Sequence, residues 1–226
     1  MAEMPFRRDV GRLPIFGLGC AGGILGLSRA AALSRAQPGA RILFLVVELC
    51  ALTFRHGDRS KSNVVATALF GDGAGAAILS SEGEGPSITA WGEHCFPDSL
   101  GVMGWDVRND GLAVLFSRHI PSIIQDEMGP VVREFLRKHG LGLADVSKFL
   151  CHPGGAKVID ALEAVFELPE GGLADSRAVL REHGNMSAAT VMFVLERALN
   201  DGAQGHLLLS SLGPGFTAAF ALIDAP

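Results

Sequence analysis

The sequence predicts a layered α/β fold. Short apolar runs typical of strands alternate along the chain with longer segments whose apolar residues recur at helical spacing. One run, at 41–50, is almost continuously apolar, as expected for a strand covered on both faces. A strand, a glycine-rich turn and a helix follow one another in each half of the chain. These three observations together favour a sheet layered with helices.

The first half of the chain contains five expected elements. Strands are expected at 15–18, 41–50 and 76–79, because each range is a short apolar run bounded by turn residues. The strand at 15–18 is expected to be buried. Helices are expected at 24–36, from its apolar periodicity, and at 63–70.

A polar, glycine-rich stretch at 81–86 is the clearest break in composition, so we place a domain boundary there. Residues 1–81 form the end of an N-terminal half, and residues 82–226 form a C-terminal half. The expected strands of the second half are 87–96, 148–151, 205–212 and 216–224, and its expected helices are 120–139, 156–166, 173–183 and 188–199.

Composition excludes several classes of function. The net charge is −5 and both signs are interspersed, so no basic patch for nucleic acid is visible. No apolar run approaches the ~20 residues of a membrane span, and the first eleven residues do not resemble a signal peptide. The four cysteines, Cys20, Cys50, Cys95 and Cys151, have no metal-binding spacing. Reduced thiols in a cytoplasmic protein without metal are therefore expected.

Cys20 lies where an apolar run ends and a helical segment begins, with glycines around it. Free backbone N–H groups and the positive end of the helix dipole favour the thiolate at such a position. The thiolate is the nucleophilic form of cysteine. The alternative is a small buried cysteine that only fills space.

Two further residues follow the same pattern. His152 follows the expected strand at 148–151, and Asn185 precedes the helix at 188–199. Because sites in α/β sheets gather beyond the carboxyl ends of strands, a thiol, an imidazole and a carboxamide could meet there as nucleophile, base and oxyanion donor. Taken singly, His152 could be a loop histidine and Asn185 an ordinary helix cap. A cysteine hydrolase is a further alternative, and it requires a carboxylate that orients His152.

Five short motifs occur in one order along nearly the whole chain. They are Cys20-Ala21-Gly22-Gly23, Phe70-Gly71-Asp72-Gly73, His152-Pro153-Gly154-Gly155, Gly184-Asn185-Met186-Ser187 and Gly213-Pro214-Gly215. In this set the chain resembles the type III polyketide synthases, the chalcone and stilbene synthase family of the thiolase superfamily. The resemblance implies a thiolase-like αβαβα fold, of which most of the first half would be missing here.

The resemblance also implies roles for individual residues. Cys20 matches the family's acyl-accepting nucleophile, and His152 and Asn185 match the other two catalytic residues. Phe70 matches an aromatic gatekeeper beside the cysteine. The remaining implied substrate-binding positions are the elongation-cavity residues Thr53, Val114 and Ser187, the Gly213-Pro214-Gly215 loop, and Lys157 near the coenzyme A entrance.

The implied activity is iterative decarboxylative condensation of malonyl-CoA onto an acyl-CoA starter held on Cys20. An imidazolium at His152 would stabilise the Cys20 thiolate. Coenzyme A thioesters are then substrates, no metal or organic cofactor is needed, and the protein would be a homodimer. Val114 replaces a phenylalanine usual in the family, and Ser211-Leu212 replaces glycine-phenylalanine. Val114 implies a roomier cavity and a longer aliphatic starter, and Ser211-Leu212 fits bacterial alkylpyrone or alkylresorcinol synthases better than chalcone synthases.

Two alternatives remain. An initiating ketoacyl-ACP synthase shares the fold and the triad, but it usually has alanine-asparagine where this chain has Pro153-Gly154. A truncated, non-catalytic partner subunit is the other, because family members have more than a hundred further residues before the Cys20 segment. On that basis we expect this chain alone to expose apolar sheet surface and to be poorly soluble.

Overall fold

The structure is a computed structural model that describes residues 4–109 and 111–226. Over these ranges it is a mixed α/β structure. The strands are β1 (Ile42–Glu48), β2 (Gly73–Leu79), β3 (Ser87–Cys95), β4 (Met103–Arg108), β5 (Gly111–Phe116), β6 (Lys148–Cys151), β7 (Gly205–Gly213) and β8 (Thr217–Ala225). The helices are α1 (Gly22–Ala36), α2 (Lys61–Leu69), α3 (Ile120–Ile123), α4 (Gly129–Lys138), α5 (Ala156–Val165), α6 (Ala174–His183) and α7 (Thr190–Asn200).

The largest sheet has the strand order β3-β8-β7-β6. β7 runs parallel to β6 and antiparallel to β8, so it lies inside the sheet with a neighbour on each side. β1 and β2 form a separate antiparallel pair, and β4 and β5 form a hairpin. The sequence analysis missed that hairpin.

The four-stranded sheet is covered by helices on both faces. Leu207 and Leu209 of β7 pack in a cluster with α1 and α7, whereas Leu208 packs in a second cluster with α3, α4 and α5. This alternation follows from the two-residue period of a strand. It explains why β7 and β8 are apolar at almost every position, and it confirms the expected strands at 205–212 and 216–224.

Local sequence determines where several helices begin and end. The Ser60 hydroxyl accepts a hydrogen bond from the Asn63 N–H at 3.3 Å and so caps α2. α6 ends at Gly184, whose φ of +72° suits glycine. The helix expected at 120–139 is present as α3 and α4, which are joined by a π-helical turn at Ile124–Met128.

The prediction of a buried strand at 15–18 is wrong. Ile15 is exposed and Phe16 is 99% exposed, and no strand forms there. A strand needs a neighbouring strand for its backbone hydrogen bonds. β1 and β2 pair with each other rather than with the segment at 15–18. Gly17, with φ +89°, also interrupts an extended backbone.

The strand expected at 41–50 forms as β1, but the expectation that both of its faces are covered is wrong. Phe44 and Val46 are buried, whereas Leu43, Leu45 and Val47 are exposed on the opposite face. Ile78 of β2 extends this exposed apolar face. The structure thus shows the exposed apolar sheet surface that was expected, while poor solubility stays a prediction. In the ranges that the structure covers, none of the helices has the length and apolar character of a membrane span.

The close approach of α1 to the segment before α7 depends on Gly23. A Cβ at this position would overlap the carbonyl oxygen of Ala188 and lie 2.7 Å from Val191 Cγ1. We therefore expect Gly23→Ala to lower the free energy of unfolding by about 1–3 kcal/mol, because the backbone must move apart. Urea unfolding followed by circular dichroism measures this change.

Gly129→Ala is the matched control, since nothing lies within 4 Å of a Cβ at that helical glycine. Alanine there should leave stability unchanged or raise it by about 1 kcal/mol. Equal destabilisation by both substitutions would contradict the close-packing argument.

Candidate active site

Cys20 lies in a one-turn 3-10 helix, Gly19–Ala21, directly before α1. The Ser211 hydroxyl of β7 donates a hydrogen bond of 2.7 Å to the Cys20 carbonyl oxygen. The cysteine is 9% exposed. The expected position of a thiol at the start of a helix is therefore present, held by a strand from the other end of the chain.

His152 follows β6, as the sequence analysis expected. Its backbone N–H donates to the carbonyl oxygen of Ser210 at 2.8 Å, which continues the parallel pairing of β6 with β7. The side chain is only 4% exposed. Neither ring nitrogen has a hydrogen-bond partner among the described residues. A buried imidazole without partners is costly unless something else uses it, so this ring is a candidate for contact with a ligand.

Asn185 is almost completely buried, at 1% exposure, and is fixed by backbone contacts to the segment around Phe70. Its N–H donates to the Leu69 carbonyl at 2.8 Å, and its own carbonyl accepts from the Gly71 N–H at 3.0 Å. The side-chain Oδ1 accepts from the Ser187 N–H at 2.8 Å. Asn185 thus joins the expected gatekeeper to the segment that precedes α7.

The three residues gather through shared neighbours. Ser210 and Ser211 are adjacent on β7, and they hold the His152 and Cys20 backbones respectively. The Cys20 Sγ lies 3.7 Å from the hydroxyl oxygen of Ser187, two residues beyond Asn185. Distant points of the chain therefore meet at one end of β7.

Burial controls the ionisation of this group of residues. It raises the pKa of the Cys20 thiol to about 12, against a smaller lowering by the hydrogen bond to Ser187. It lowers the pKa of His152 to about 4. The structure therefore favours a neutral thiol and a neutral imidazole, which differs from the thiolate–imidazolium pair that the sequence led us to expect. The helix-end argument underestimated how much water the fold excludes.

A cavity of about 350 Å³ is bordered by Phe70, whose chain neighbours are hydrogen-bonded to the Asn185 backbone. Of the expected cavity residues, Thr53, Phe70 and Val114 line it together. The structure does not place Ser187 in this lining, because its hydroxyl contacts Cys20 instead. The lining residues that the sequence analysis missed are Cys50, Ala51, Phe54, Asn63, Ala66 and Thr67.

Phe116 is a further residue that sequence reasoning missed. Its ring lies 5.7 Å from the Phe70 ring, centre to centre, at an angle of 59°. Phe116 and Val114 are two residues apart on β5, so they share one face of that strand. The aromatic side chain that is absent at position 114 is thus present at position 116, on the same face of β5. The alternation of side chains along a strand could have predicted it.

The Gly213-Pro214-Gly215 loop packs directly on the cysteine turn. A Cβ at Gly19 would lie 2.5 Å from Pro214 Cδ, and a Cβ at Gly213 would lie 2.6 Å from the Leu18 carbonyl oxygen. The loop therefore shapes the backbone around Cys20. Lys157 is exposed in the first turn of α5, and the contacts described for the chain do not tie it to the cysteine.

The buried, uncharged state of His152 makes stability depend on pH. Burial lowers its pKa to about 4 in the folded chain from the ordinary value of 6.5, so the unfolded chain binds more protons between these two pH values. Stability is then lost as the pH falls through this window, by about 2 kcal/mol between about pH 7 and pH 5. Urea unfolding at the two pH values should show a smaller loss for His152→Gln than for the parent.

His119→Gln, which replaces an exposed histidine, is the matched control and should keep the parent's pH dependence. An unchanged slope in His152→Gln would show that this imidazole is not buried in the neutral form.

Comparison with known proteins agrees with this arrangement. The family model described as "Chalcone and stilbene synthases, N-terminal domain" matches residues 1–83, and the corresponding C-terminal domain model matches residues 88–224. A chalcone synthase-like protein of Bacillus subtilis (strain 168) is 42% identical, over 99% of this chain and 65% of its own length. The 1,3,6,8-tetrahydroxynaphthalene synthase of Streptomyces peucetius subsp. caesius is 39% identical, over 98% of this chain and 61% of its own.

The crystal structure of 1,3,6,8-tetrahydroxynaphthalene synthase from Streptomyces coelicolor A3(2), a bacterial type III polyketide synthase, superposes with a TM-score of 0.93 at 29% identity. The match covers 99% of this chain and 65% of that one, and it confirms the expected thiolase-like fold. The chain spans 61–65% of the length of these relatives. Matched along nearly all of its length, the chain belongs to the chalcone and stilbene synthase family, as its five motifs indicated.

Proposed function

We propose that the chain carries the reaction centre of a type III polyketide synthase, with Cys20 as acyl acceptor. The observation that carries this proposal is that three buried side chains converge at one end of β7: a cysteine, an asparagine, and a histidine without a hydrogen-bond partner among the described residues. The cavity lined by Thr53, Phe70 and Val114 is the proposed space for an acyl chain carried by Cys20.

In the first step, Cys20 Sγ attacks the carbonyl carbon of an acyl-CoA thioester. A new thioester forms on the cysteine, and coenzyme A leaves as its thiol. His152 is the proposed acceptor or donor of the proton that moves in this exchange, since its neutral ring has both nitrogens free of partners within the described chain.

In the second step, malonyl-CoA loses carbon dioxide, and the electron pair of the broken bond becomes an enolate. N–H donors of His152 and Asn185 would stabilise the negative charge on the enolate oxygen, and one such donor is worth on the order of 3 kcal/mol. The enolate carbon then attacks the Cys20 thioester, and the cysteine leaves as a thiolate. Phe70 supplies an apolar wall that favours carbon dioxide over the carboxylate.

The cavity supports repeated extension rather than one condensation. Its volume of about 350 Å³ exceeds what a two-carbon unit fills, and Val114 leaves room that a phenylalanine would occupy. We propose an aliphatic starter and an alkylpyrone or alkylresorcinol type of product. The relatives include 1,3,6,8-tetrahydroxynaphthalene synthases, whose named product differs from this proposal, so product mass spectrometry with a panel of acyl-CoA starters tests it.

The other functions considered fit less well. A cysteine hydrolase needs a carboxylate on the histidine, yet within the described residues neither nitrogen of His152 is hydrogen-bonded. An initiating ketoacyl-ACP synthase would release a single condensation product from the same panel. A non-catalytic partner subunit would fail to decarboxylate radiolabelled malonyl-CoA.

The remaining parts of the proposal follow from the family resemblance. We propose that coenzyme A thioesters are the substrates, with Lys157 as a contact for their phosphates, and that no resident metal or organic cofactor takes part. Among the described residues, no group of three or more metal-binding side chains comes together. We further propose a cytoplasmic homodimer, with residues 1–81 and 82–226 as its two halves.

Acyl loading tests the proposal. We expect intact-protein mass spectrometry to detect one acyl adduct after incubation with an acyl-CoA, because Cys20 is the proposed acceptor. Cys20→Ala should lose the adduct, whereas Cys95→Ala, which removes an exposed cysteine, should keep it. Equal acyl loading of Cys20→Ala and the parent would exclude Cys20 as the acceptor.

A further inference from the structure

The strand that ends at His152, β6, lies at the edge of its sheet. Among the strands that the structure describes, β6 pairs only with β7. The His152 N–H donates to the Ser210 carbonyl of β7 at 2.8 Å. Because successive residues of a strand direct their backbone groups to opposite sides, the Cys151 carbonyl points away from β7. A backbone group at a sheet edge needs a partner from another element when it is buried.

Ser176 of α6 supplies this partner. Its hydroxyl donates to the Cys151 carbonyl oxygen at 2.6 Å, and the residue is only 1% exposed. The Ser210 hydroxyl donates separately to Cys151 Sγ at 3.2 Å. The residue directly before His152 is therefore held by two elements, α6 through its carbonyl and β7 through its side chain.

A second contact joins α6 to the start of β6. The carboxylate of Asp175, the neighbour of Ser176 in α6, forms an ion pair of 2.7 Å with Lys148 Nζ. The Asp175 side chain is mostly buried, so salt screens this pair less than a surface pair. Lys148 and Cys151 are the first and last residues of β6, so α6 contacts the strand at both of its ends.

The other end of α6 leads into Asn185. The helix ends at Gly184, and the Asn185 backbone then pairs with the segment around Phe70. From Ser176 to Gly184 the helix axis spans about 12 Å. α6 is therefore a rigid spacer, with the strand that precedes His152 at its beginning and Asn185 directly after its end.

We propose that Ser176 is a positioning residue, which fixes His152 relative to Asn185 by holding the Cys151 carbonyl to α6. This inference rests on the proposed roles of His152 and Asn185 as donors to the malonyl-CoA enolate. Two donors that stabilise one developing charge have to keep their separation, and a small displacement of either slows the reaction. Ser176 acts only through β6 and does not contact the substrate.

A serine that only stabilises the fold predicts a different result. Loss of its hydrogen bond would then lower the free energy of unfolding, but it would leave His152 unchanged in the folded molecules. Ser34 allows this comparison, because its buried hydroxyl donates to the Ala31 carbonyl at 2.8 Å. Ser34 lies near the end of α1 opposite to the Cys20 turn, so Ser34→Ala removes a similar hydrogen bond away from β6.

The first measurement is the rate at which diethyl pyrocarbonate modifies His152, determined by peptide mass spectrometry relative to the exposed His119. Because the His152 imidazole is buried, its modification reports how firmly the end of β6 is held. Ser176→Ala should raise the relative rate about tenfold, and Ser34→Ala should raise it less than about twofold. Equal modification of His152 in the two variants would overturn the proposal.

The second measurement is the steady-state decarboxylation of radiolabelled malonyl-CoA. Ser176→Ala should lower kcat about tenfold and change KM by less than about twofold, because the two donors act on charge that develops during the reaction. A raised KM with an unchanged kcat would contradict the proposed role. If Ser176→Ala fails to fold, Ser176→Cys carries both measurements, since a thiol of similar size is a weaker donor.

The two measurements separate this proposal from the proposed function, since modification of His152 needs no coenzyme A thioester. A parent that does not decarboxylate malonyl-CoA, but whose Ser176→Ala variant shows the faster modification, would reject the polyketide synthase proposal and keep the positioning of His152 by Ser176. Decarboxylation by the parent, with equal modification in Ser176→Ala and Ser34→Ala, would do the reverse.

Discussion

The attachment of β7 to two separate loops, by one backbone and one side-chain hydrogen bond, is the constraint on which the rest of the site depends. Ser210 accepts the N–H of His152, and Ser211 donates its hydroxyl to the carbonyl of Cys20. Because β7 lies between β6 and β8 and is covered by helices on both faces, these contacts are far from water. Breaking either would leave a buried polar group unsatisfied, which costs roughly 1–3 kcal/mol. The two loops are therefore held in fixed relation before any ligand arrives.

The same burial determines how the site can do chemistry. The Cys20 thiol and the His152 imidazole are removed from water, and each then favours its uncharged form. Charge has to be created by proton transfer within the site, between partners that already touch. The Cys20 thiol donates a hydrogen bond to the Ser187 hydroxyl, while the imidazole of His152 has no partner among the described residues and stays available for the substrate.

Much of the second half could be predicted from sequence, because apolar periodicity reports burial directly in β7, β8 and the helices that cover them. The exposure of Phe16 could not be predicted, because an apolar residue indicates a strand only where a neighbouring strand is available to pair with it. The one-sided burial of β1 was hidden for the same reason, as Leu45 and Val46 look alike in sequence.

Within the site, motif order was sufficient to select Cys20, His152 and Asn185, which the structure brings to one end of β7. Contacts between residues that are far apart in the chain could not be predicted from the motifs. Nothing in the sequence links the Cys20 thiol to the Ser187 hydroxyl, and the ring contact between Phe70 and Phe116 emerges only when β5 packs beside α2. The ionisation states were misjudged because the exclusion of water is a property of the whole fold rather than of any motif.

Cross-linking with 1,3-dibromoacetone tests the central claim most directly, because this reagent joins a thiol to a nearby imidazole through a three-carbon bridge. If Cys20 and His152 face one space at the end of β7, peptide mass spectrometry should identify the bridged pair of peptides that contain them. A product in which Cys20 carries only a single-ended adduct, or is bridged to Cys50 instead, would contradict the account.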